Sequence, residues 1–428
     1  MSANAAPVNH SHNPLVRYFR TLGPGLVTGA AADDPSGVTT YAVAGAAFGT
    51  GMLWTALVTL PLMAAIQLTC ARIGLVSGRG LAGAMRQYYP RWFLYAACVL
   101  LLVANVFNIA ADLAGMADAA EMLTGLASIF WVPLFGLTVL GATVYTSYST
   151  FAAWLKWLTA ALFAYVVSAI LARPEWRTAL HDTVLPRLSF DANAVATLVA
   201  ILGTTISPYL FFWQASQEVE EERALGRHTI RERRGASTHD LRDARHDVVT
   251  GMVFSNAVMY FIILATASTL GRLGRIDIES SRQAAEALRP VAGDAAYLLF
   301  ALGIVGTGLL AIPVLAGSAS YAIAEVFGWR SGLDLPPRRA RRFYFVLGGA
   351  IVAGMLLDLL HTGAVRMLFL SAVVNGLLAP PLLLLVMLVG NNRKIMGAHV
   401  NDVWLNVFGW GATAAMTVAM FLFFWTAL

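Results

Sequence analysis

The stretch that decides the fold is GPGLVTGAAADDPSG, residues 23–37, which opens the first apolar segment of the chain. Two adjacent carboxylates, Asp33 and Asp34, lie near the middle of this segment and are followed at once by Pro35. A carboxylate in a membrane span costs about 2.5–3.5 kcal/mol on insertion scales, and proline removes a backbone donor. Unwound backbone is tolerated at bilayer depth only where it is buried in protein or lines a cavity. We therefore expect the helix to break here, with its free carbonyl groups and the two acids directed at one cation site.

A second stretch, GTTISPY at residues 203–209, interrupts the sixth apolar segment in the same manner. Paired interrupted helices in corresponding positions of two halves are a strong sequence pointer to the binding site of a transporter. Each break alone could be a structural kink, but two of them, one with adjacent aspartates, predict a cation site. The side-chain oxygen donors available to that site are Asp33, Asp34, Ser36, Thr204 and Ser207.

The composition of the chain agrees with a membrane location for these breaks. Of 428 residues, 58% are hydrophobic and 12% are charged, and the mean hydropathy is +0.67. Soluble domains carry roughly a quarter charged residues, so this chain has too few of them to cover a water-facing surface. A membrane-spanning helix needs about 20 mainly apolar residues. We therefore predict an all-α integral membrane protein, and the net charge of +5 requires no nucleic-acid partner.

About 11 apolar segments are long enough to be transmembrane helices, and the two breaks open two comparable halves. The segments are 23–48, 52–73, 92–116, 128–147, 150–172, 193–217, 249–270, 295–325, 343–361, 364–390 and 402–427. We predict a polar cytoplasmic tail at 1–20 and a single transmembrane domain at 21–427. Within that domain, the two halves cover about 21–172 and 193–390, and an extra helix covers about 402–427.

The basic residues predict the orientation of the chain in the membrane. Most of the 29 Lys and Arg residues fall in loops on one side when the N-terminus is placed in the cytoplasm, as the positive-inside rule requires. Residues 1–16 contain no apolar run, so we expect no cleaved signal peptide and favour a bacterial inner membrane. The long polar stretch at 218–248 is expected to be a solvated cytoplasmic loop, with a regulatory or inner-gate role as the alternative.

Further polar residues in the apolar segments are candidates for the ion pathway. Asn105, Asn108 and Asp112 are spaced i, i+3, i+7 and therefore share one helix face. An intramembrane Asn often only joins two helices, and Asp112 could pair with an arginine, but we favour a wet pathway lining for this face. Asn375, near Pro380-Pro381, is a further candidate if those prolines distort the tenth segment.

The first break also carries a family resemblance. Gly23-Pro24-Gly25 and the break after it resemble the first helix of the Nramp family of divalent metal-ion carriers, in which a Gly-Pro-Gly start leads into an Asp-Pro-Gly-Asn break. Residues 49–54, GTGMLW, and 111–114, ADLA, are similar to the family as well. In this resemblance Asp34 takes the place of the metal-binding aspartate, and Asp112 falls on an intramembrane acid of the family.

The resemblance implies an amino-acid-transporter-like fold of two inverted five-helix repeats with broken helices 1 and 6. It also implies secondary transport of divalent metal cations by alternating access. The metal is then the substrate, so we expect no cofactor and no enzymatic activity. Membrane lipid is the other expected partner, and the chain is expected to be a monomer or a weak dimer.

Departures from the family pattern change the expected chemistry of the site. The family asparagine after Pro-Gly is Gly37 here, and the sixth-helix Ala, Met and His are Thr204, Ser207 and Tyr209. A second family histidine is Gln214. Sulfur ligands favour softer metals, whereas carboxylate, hydroxyl and carbonyl oxygens suit Mg²⁺, Ca²⁺ and Mn²⁺. We therefore expect Mg²⁺ or Mn²⁺ to be preferred over Cd²⁺, and the chain resembles Nramp-related magnesium or manganese transporters.

Two sets of residues follow from the breaks and the resemblance together. The predicted metal-site residues are Asp34, Ser36, Gly37, Thr204, Ser207 and Asp33. The predicted pathway or coupling residues are Asp112, Asn108, Asn105, Tyr209, Gln214 and Asn375. Histidine is the natural proton carrier near neutral pH, and none of the eight histidines lies deep in a predicted span. We therefore expect uncoupled or weakly coupled transport, with the three intramembrane aspartates as the remaining possible proton carriers.

Three alternatives to a metal carrier remain at this stage. A sodium- or proton-coupled symporter of a small organic solute could use the same fold, although adjacent aspartates disfavour an anionic substrate. A channel is disfavoured because paired broken helices are typical of alternating access. A membrane hydrolase is disfavoured because catalytic carboxylates face each other across a substrate rather than follow one another in sequence.

Overall fold

The computed structural model describes residues 23–146, 163–187, 189–273, 278, 280–359 and 363–427. Regular structure in these ranges is helical, and a short 3₁₀-helix at Gly49–Met52 follows the first span. The α-helices are α1 (Pro24–Ala32), α2 (Pro35–Phe48), α3 (Trp54–Ser77), α4 (Leu81–Arg86), α5 (Arg91–Thr124), α6 (Ser128–Tyr145), α7 (Phe163–Leu171), α8 (Trp176–Val184), α9 (Ala192–Thr205), α10 (Pro208–Ala224), α11 (Ile230–Arg233), α12 (Thr238–Thr269), α13 (Ser281–Ala285), α14 (Arg289–Ala292), α15 (Ala296–Phe327), α16 (Arg341–Asp358), α17 (Ala364–Gly390), α18 (Arg393–Met396) and α19 (Val403–Ala427).

The first apolar segment is broken where the sequence predicts it. Helix α1 ends at Ala32, and Asp33 follows it with non-helical backbone angles. Asp34 is the N-cap of α2, with extended backbone angles, and Pro35 occupies the first helical position. Proline is suited to that position because its missing N–H would have no partner in the first turn. Two half-helices therefore meet at the paired aspartates.

The sixth apolar segment is broken in the same way. Helix α9 ends at Thr205, Ile206 leaves the helical region, and Ser207 is the extended N-cap of α10. Pro208 is the first residue of α10. The Ser207 hydroxyl donates to the carbonyl oxygens of Gly203 (2.9 Å) and Thr204 (2.6 Å), which belong to the last turn of α9. One serine therefore begins α10 and also satisfies the end of α9.

Eight helices within the described ranges are long and apolar enough to cross a membrane. They are α3, α5, α6, the pair α9 and α10 taken together, α12, α15, α17 and α19. The first predicted span is present as the two half-helices α1 and α2, and the ninth as α16 with 18 residues. Most of the fifth predicted span and the predicted tail at 1–20 lie outside the described residues. The total of eleven spans therefore stays a prediction.

The polar stretch at 218–248 is mostly helical instead of forming a loop. Helix α10 continues to Ala224, and α12 begins at Thr238, well before the predicted start of the seventh span at 249. Ser237 accepts from the Asp240 backbone N–H while Asp240 reaches back to the Ser237 N–H, which is a complete capping box. Capping boxes start helices whatever the hydropathy of the residues that follow, so the helices extend beyond the apolar segments.

Packing around the two breaks buries them in the centre of the helical bundle. Helix α12 packs against α1, α2 and α3, while α5 packs against α15, α16 and α17. Helix α9 lies against α17, where a side chain at Gly203 would collide with the backbone of Ala372 and Gly376. Helix α17 is continuous through Pro380 and Pro381. The described helices thus surround both breaks.

Candidate cation site

Asp34 joins the two breaks. Its Oδ1 accepts a hydrogen bond from the Gly37 backbone N–H at 2.7 Å, which caps α2. The Tyr209 hydroxyl, in the first turn of α10, lies 3.3 Å from Asp34 Oδ2 and 2.8 Å from the Ala31 carbonyl oxygen at the end of α1. Asp34 is only 1% exposed, so a carboxylate is held in the interior between three half-helices. A buried charge of this kind needs a positive partner.

Asp33 faces a different helix from Asp34. Its Oδ1 accepts from the Ser255 hydroxyl of α12 at 3.0 Å. Its Oδ2 is buried and has no hydrogen-bond partner in the part of the chain that the structure describes. The two carboxylates remain close enough to interact electrostatically. One oxygen of Asp33 is therefore bonded to α12, and the other, Oδ2, is available to a ligand.

The remaining predicted metal-site residues have different surroundings. The Thr204 hydroxyl is buried, lacks a partner among the described residues, and lies 3.0 Å from the point where a Cβ on Gly37 would sit. Gly37 thus allows α2 and α9 to approach closely. The Ser36 hydroxyl lies 3.1 Å from the Ser371 hydroxyl of α17, and the Ser207 hydroxyl donates to α9 carbonyls as described above. Thr204 is the hydroxyl most available to a cation.

The predicted pathway face of α5 is divided between two roles. Asn105 donates from Nδ2 to the Leu315 carbonyl (2.8 Å) and to the Ser318 hydroxyl (2.7 Å) of α15, which is an interhelical contact. Asn108 and Asp112 are fully buried, and their side-chain oxygens have no hydrogen-bond partner within the described ranges. Asp112 interacts electrostatically with Asp34. The Asp112 end of this face therefore belongs to the same polar region as the breaks.

Asn375 and Gln214 extend the polar region in two directions. Asn375 of α17 is buried, and neither of its amide atoms has a partner in the described chain. Gln214 of α10 accepts from the Thr28 hydroxyl of α1 at 2.6 Å and donates to Glu218 at 2.8 Å. Thr28, Gln214 and Glu218 form a buried polar chain between α1 and α10, the half-helices before the first break and after the second.

One end of the bundle holds the arginine-rich segments 79–91, 223–245 and 330–342, and we call it the arginine-rich end. Hydrogen bonds join these segments: Arg233 donates to the Gly78 carbonyl, and Arg223 donates to the Ser331 carbonyl. The start of α1 lies at this end as well, because a side chain at Gly23 would meet Glu221. By the positive-inside rule, this end is expected to face the cytoplasm.

The start of α1 is clamped to α12 at the arginine-rich end. The Asp247 carboxylate accepts from the backbone N–H groups of Gly23 (2.9 Å), Gly25 (2.6 Å) and Leu26 (3.1 Å). A Cβ on Gly25 would lie 2.6 Å from the Val248 Cα, and a Cβ on Gly29 would collide with the backbone of Gly251. Backbone therefore packs on backbone at the start of α1, and one carboxylate holds this start against α12.

The opposite end is closed by a second carboxylate. Asp182 of α8 has a fully buried side chain, accepts from the Thr50 hydroxyl at 2.6 Å, and pairs with Arg187 at 2.9 Å. Burial opposes ionisation of Asp182, but the hydrogen bonds from Thr50 and His181 and the charge of Arg187 hold its pKa below the usual value. Asp182 is therefore ionised at neutral pH and ties α8 to the 3₁₀-helix that follows α2.

Several contacts at the site were not predicted. Ser255 against Asp33, Ser371 against Ser36, Thr28 in the buried chain and Asp247 in the clamp all lie in helices that the sequence shows only as apolar or as loop. Lone hydroxyls in apolar segments carry no periodic signal. Asp247 could have been noticed as an acid at the edge of a span, but its three partners are backbone groups more than 200 residues away.

The chemistry available at the breaks is that of oxygen donors. Among the described residues, no group of three or more His, Cys, Asp or Glu side chains is placed to hold a metal ion. The donors that the breaks bring together are the carboxylate and hydroxyl oxygens of Asp33, Asp34 and Thr204. A hard cation such as Mg²⁺ binds oxygen donors and usually retains several waters.

Comparison with known proteins gives the family. The sequence profile described as "Natural resistance-associated macrophage protein-like", named Nramp, matches residues 25–426. The chain belongs to the Nramp family. This is a family of transporters, which excludes the enzyme alternative. The multi-pass character of this Nramp chain agrees with its membrane-length helices.

Relatives with curated names cover most of this Nramp chain. A divalent metal cation transporter MntH of Deinococcus radiodurans is 27% identical over 405 residues, covering 92% of this chain and 87% of its own length. The MntH of Pectobacterium carotovorum is also 27% identical, over 91% of this chain and 90% of its own length. The family profile match over residues 25–426 includes both helix breaks.

Solved structures share the fold of this Nramp chain. The manganese transporter of Eremococcus coleocola matches with a TM-score of 0.75 and 18% identity, over 96% of this chain and 87% of that chain. Mhp1, a nucleobase-cation-symport-1 family transporter, matches with a TM-score of 0.57 and 13% identity, over 95% and 93% of the two chains. The predicted inverted-repeat transporter fold with two broken helices is therefore confirmed as the architecture.

Proposed function

We propose that this Nramp protein moves divalent metal cations across the membrane by alternating access. The observation that carries the proposal is the meeting of both helix breaks on the buried Asp34 carboxylate, with Tyr209 and Thr204 of the second break beside it. The curated relatives are named divalent metal cation transporters, which agrees with this proposal. The N-terminus and the arginine-rich end would face the cytoplasm, in a bacterial inner membrane.

The closures at the two ends support an alternating mechanism. Asp34 is only 1% exposed, Asp247 clamps α1 at one end of the bundle, and Asp182 ties α8 at the other. A bound ion can leave only if one closure opens, and a leak is avoided only if the other stays closed. Half-helix α1 is the natural moving element, because it is short and its contacts with α12 are made by glycines and one carboxylate.

We infer a preference for hard ions from the donor set. The side-chain donors at the two breaks are carboxylates and hydroxyls, and Ser207 and Tyr209 stand where the family pattern has sulfur and imidazole. Such oxygen donors suit Mg²⁺ and Mn²⁺ better than Cd²⁺. The ion would bind Asp34 and Thr204 first, with Asp33, Asp112 and waters completing its shell.

The direct test is an uptake panel with purified protein in liposomes. Uptake of Mg²⁺, Mn²⁺ and Cd²⁺ is followed with internal dyes, with a twenty-amino-acid mixture added as competitor. The proposal expects saturable uptake of Mg²⁺ or Mn²⁺ that amino acids leave unchanged. Uptake of none of the three ions, or uptake that rises without saturation, would contradict a metal carrier.

The clamp at Asp247 leads to a prediction about access from the arginine-rich end. Asp247→Ala removes three hydrogen bonds to a charged acceptor, each worth about 1.5–3 kcal/mol. We expect α1 to open more often, so that a cysteine placed at Thr28 reacts about tenfold faster with a membrane-impermeant thiol reagent. A tenfold change requires the free energy of opening to fall by only about 1.4 kcal/mol. The reaction is measured in a background lacking Cys70 and Cys98.

Asp243→Ala provides the matched control for this clamp. Asp243 lies one turn earlier on the same helix, where it pairs with His239 near the surface. Its removal should leave the reactivity of the cysteine at position 28 unchanged. Equal reactivity in the Asp247 and Asp243 variants would show that the carboxylate clamp does not hold α1 closed.

Proton coupling gives a separate prediction. We expect Mn²⁺ uptake into liposomes without acidification of the interior, because the site carries tyrosine and glutamine where the family pattern has histidines. Internal pH is measured with a trapped dye while the membrane potential is clamped with potassium and valinomycin. Metal-driven acidification that disappears in Asp112→Asn would overturn this expectation and would identify Asp112 as a proton carrier.

A further inference from the structure

An apolar groove lies between α6 and α16 on the outer surface of the bundle. The two helices touch where a side chain at Gly136 would meet Met355, and further along they leave a groove of about 670 Å³. Cβ atoms built on Gly141 and Gly349 would meet nothing within 4 Å. The groove is as large as many small-molecule sites, which occupy about 300–1,000 Å³. Glycines on both helices therefore leave open space between α6 and α16.

The walls of the groove are exposed and apolar. Tyr145 is 89% exposed and Phe345 is 81% exposed, and Leu137 is also exposed. Large apolar side chains exposed on a membrane-spanning bundle face lipid. An apolar groove with exposed walls suits a hydrocarbon chain of the bilayer.

The groove opens toward the arginine-rich end, which supplies charge complementarity. Arg338, Arg339, Arg341 and Arg342 are exposed at or just before the start of α16. Arg341, Phe345, Gly348 and Val352 are spaced i, i+4, i+7, i+11, so Arg341 lies on the helix face that lines the groove.

None of these four arginines forms an ion pair with an acidic side chain in the chain segments described, although Arg342 stacks over the Trp329 ring. Basic clusters beside membrane helices attract anionic headgroups, at about 1 kcal/mol for each Lys or Arg near the surface. A lipid without net charge could place an acyl chain in the groove but would bring no net negative charge to these arginines.

We propose that an anionic glycerophospholipid binds here, with an acyl chain in the groove between α6 and α16 and its phosphate at Arg341 and Arg338. This site lies apart from the two helix breaks and does not depend on the identity of the transported ion. The lipid would bridge α6 and α16 at the end where they separate.

The test measures lipid retained on delipidated full-length protein by native mass spectrometry in detergent. Phosphatidylglycerol and phosphatidylcholine with the same acyl chains are added separately, and the fraction of protein carrying one lipid is compared. We expect about tenfold greater retention of phosphatidylglycerol. The double variant R338Q/R341Q should reduce it to the level of phosphatidylcholine. R242Q/R245Q removes the same charge from exposed positions on α12 and should change nothing.

A second variant separates the groove from the arginines. Gly141→Leu with Gly349→Leu fills open space and improves helix propensity, so the protein should remain folded. We expect it to lose phosphatidylglycerol while keeping all four arginines. Equal retention of both lipids by the wild type, or full retention by either variant, would overturn the proposal. Competition by soluble glycerol phosphate as strong as that by the whole lipid would assign the arginines to a free anion.

Discussion

Replacing Asp34 with alanine is expected to lower divalent-cation uptake by about a hundredfold or more. A hundredfold loss corresponds to about 2.8 kcal/mol of lost ion-binding free energy. Asp34 is the charged group at which the two breaks meet, and Thr204 and the nearby carbonyl groups are neutral. A dehydrating cation in the interior needs a full negative charge close by. The measurement is the initial rate of Mn²⁺ and Mg²⁺ uptake into liposomes at equal protein content.

Asp34 also caps α2, so alanine alone would confuse ion binding with folding. Loss of an N-cap costs about 0.5–2 kcal/mol, whereas asparagine is as good a cap as aspartate. Asp34→Asn should therefore keep the thermal stability of the wild type and still lose uptake. Substantial uptake by the asparagine variant would mean that the capping role, and not the charge, makes this residue necessary.

Replacing Ser207 with cysteine is expected to shift the ion preference toward Cd²⁺. The change is nearly isosteric and brings a soft sulfur donor to the second break, where the serine is fully buried. We expect the ratio of Cd²⁺ to Mn²⁺ uptake to rise about tenfold, which corresponds to about 1.4 kcal/mol. Rates are compared in the same liposome preparation, so that the ratio is independent of the amount of active protein.

Ser207→Ala is the control for this change in selectivity. It removes the same hydroxyl, including its hydrogen bonds to Gly203 and Thr204, without adding sulfur. The alanine variant should lower all rates together and leave the ratio unchanged. If the alanine and cysteine variants give the same ratio, Ser207 does not face the ion and the inferred preference loses its basis.

The breaks could be predicted from sequence because their causes are local. At each break the proline follows polar residues, two aspartates at the first and Ser207 at the second, and the residue before a proline is biased away from helical backbone angles. Proline alone is not sufficient, because α17 continues through Pro380 and Pro381.

That the two breaks meet could be predicted from their paired positions, whereas the particular contact between Asp34 and Tyr209, 175 residues apart, depends on tertiary packing. Gly37 and Thr204 were both predicted as site residues, but their mutual approach depends on how α2 lies against α9.

Other features were not accessible from sequence for stated physical reasons. Hydropathy detects the apolar part of a helix, so the polar extensions of α10 and α12 were taken for a loop. The capping box at Ser237 was visible in the sequence and would have corrected the start of α12. Asn105 shares a face with Asp112, but its amide reaches α15, because pairing between helices is set by tertiary packing.

The glycine contact between α1 and α12 has a consequence for how the protein moves. Side chains that interlock must change rotamer before two helices can separate, whereas Gly25 and Gly29 present smooth backbone to Gly251. At the start of α1, resistance to separation from α12 is therefore concentrated in the three bonds to the Asp247 carboxylate, which must be lost nearly together. Opening of the start of α1 away from α12 should therefore be cooperative, with few partly open states.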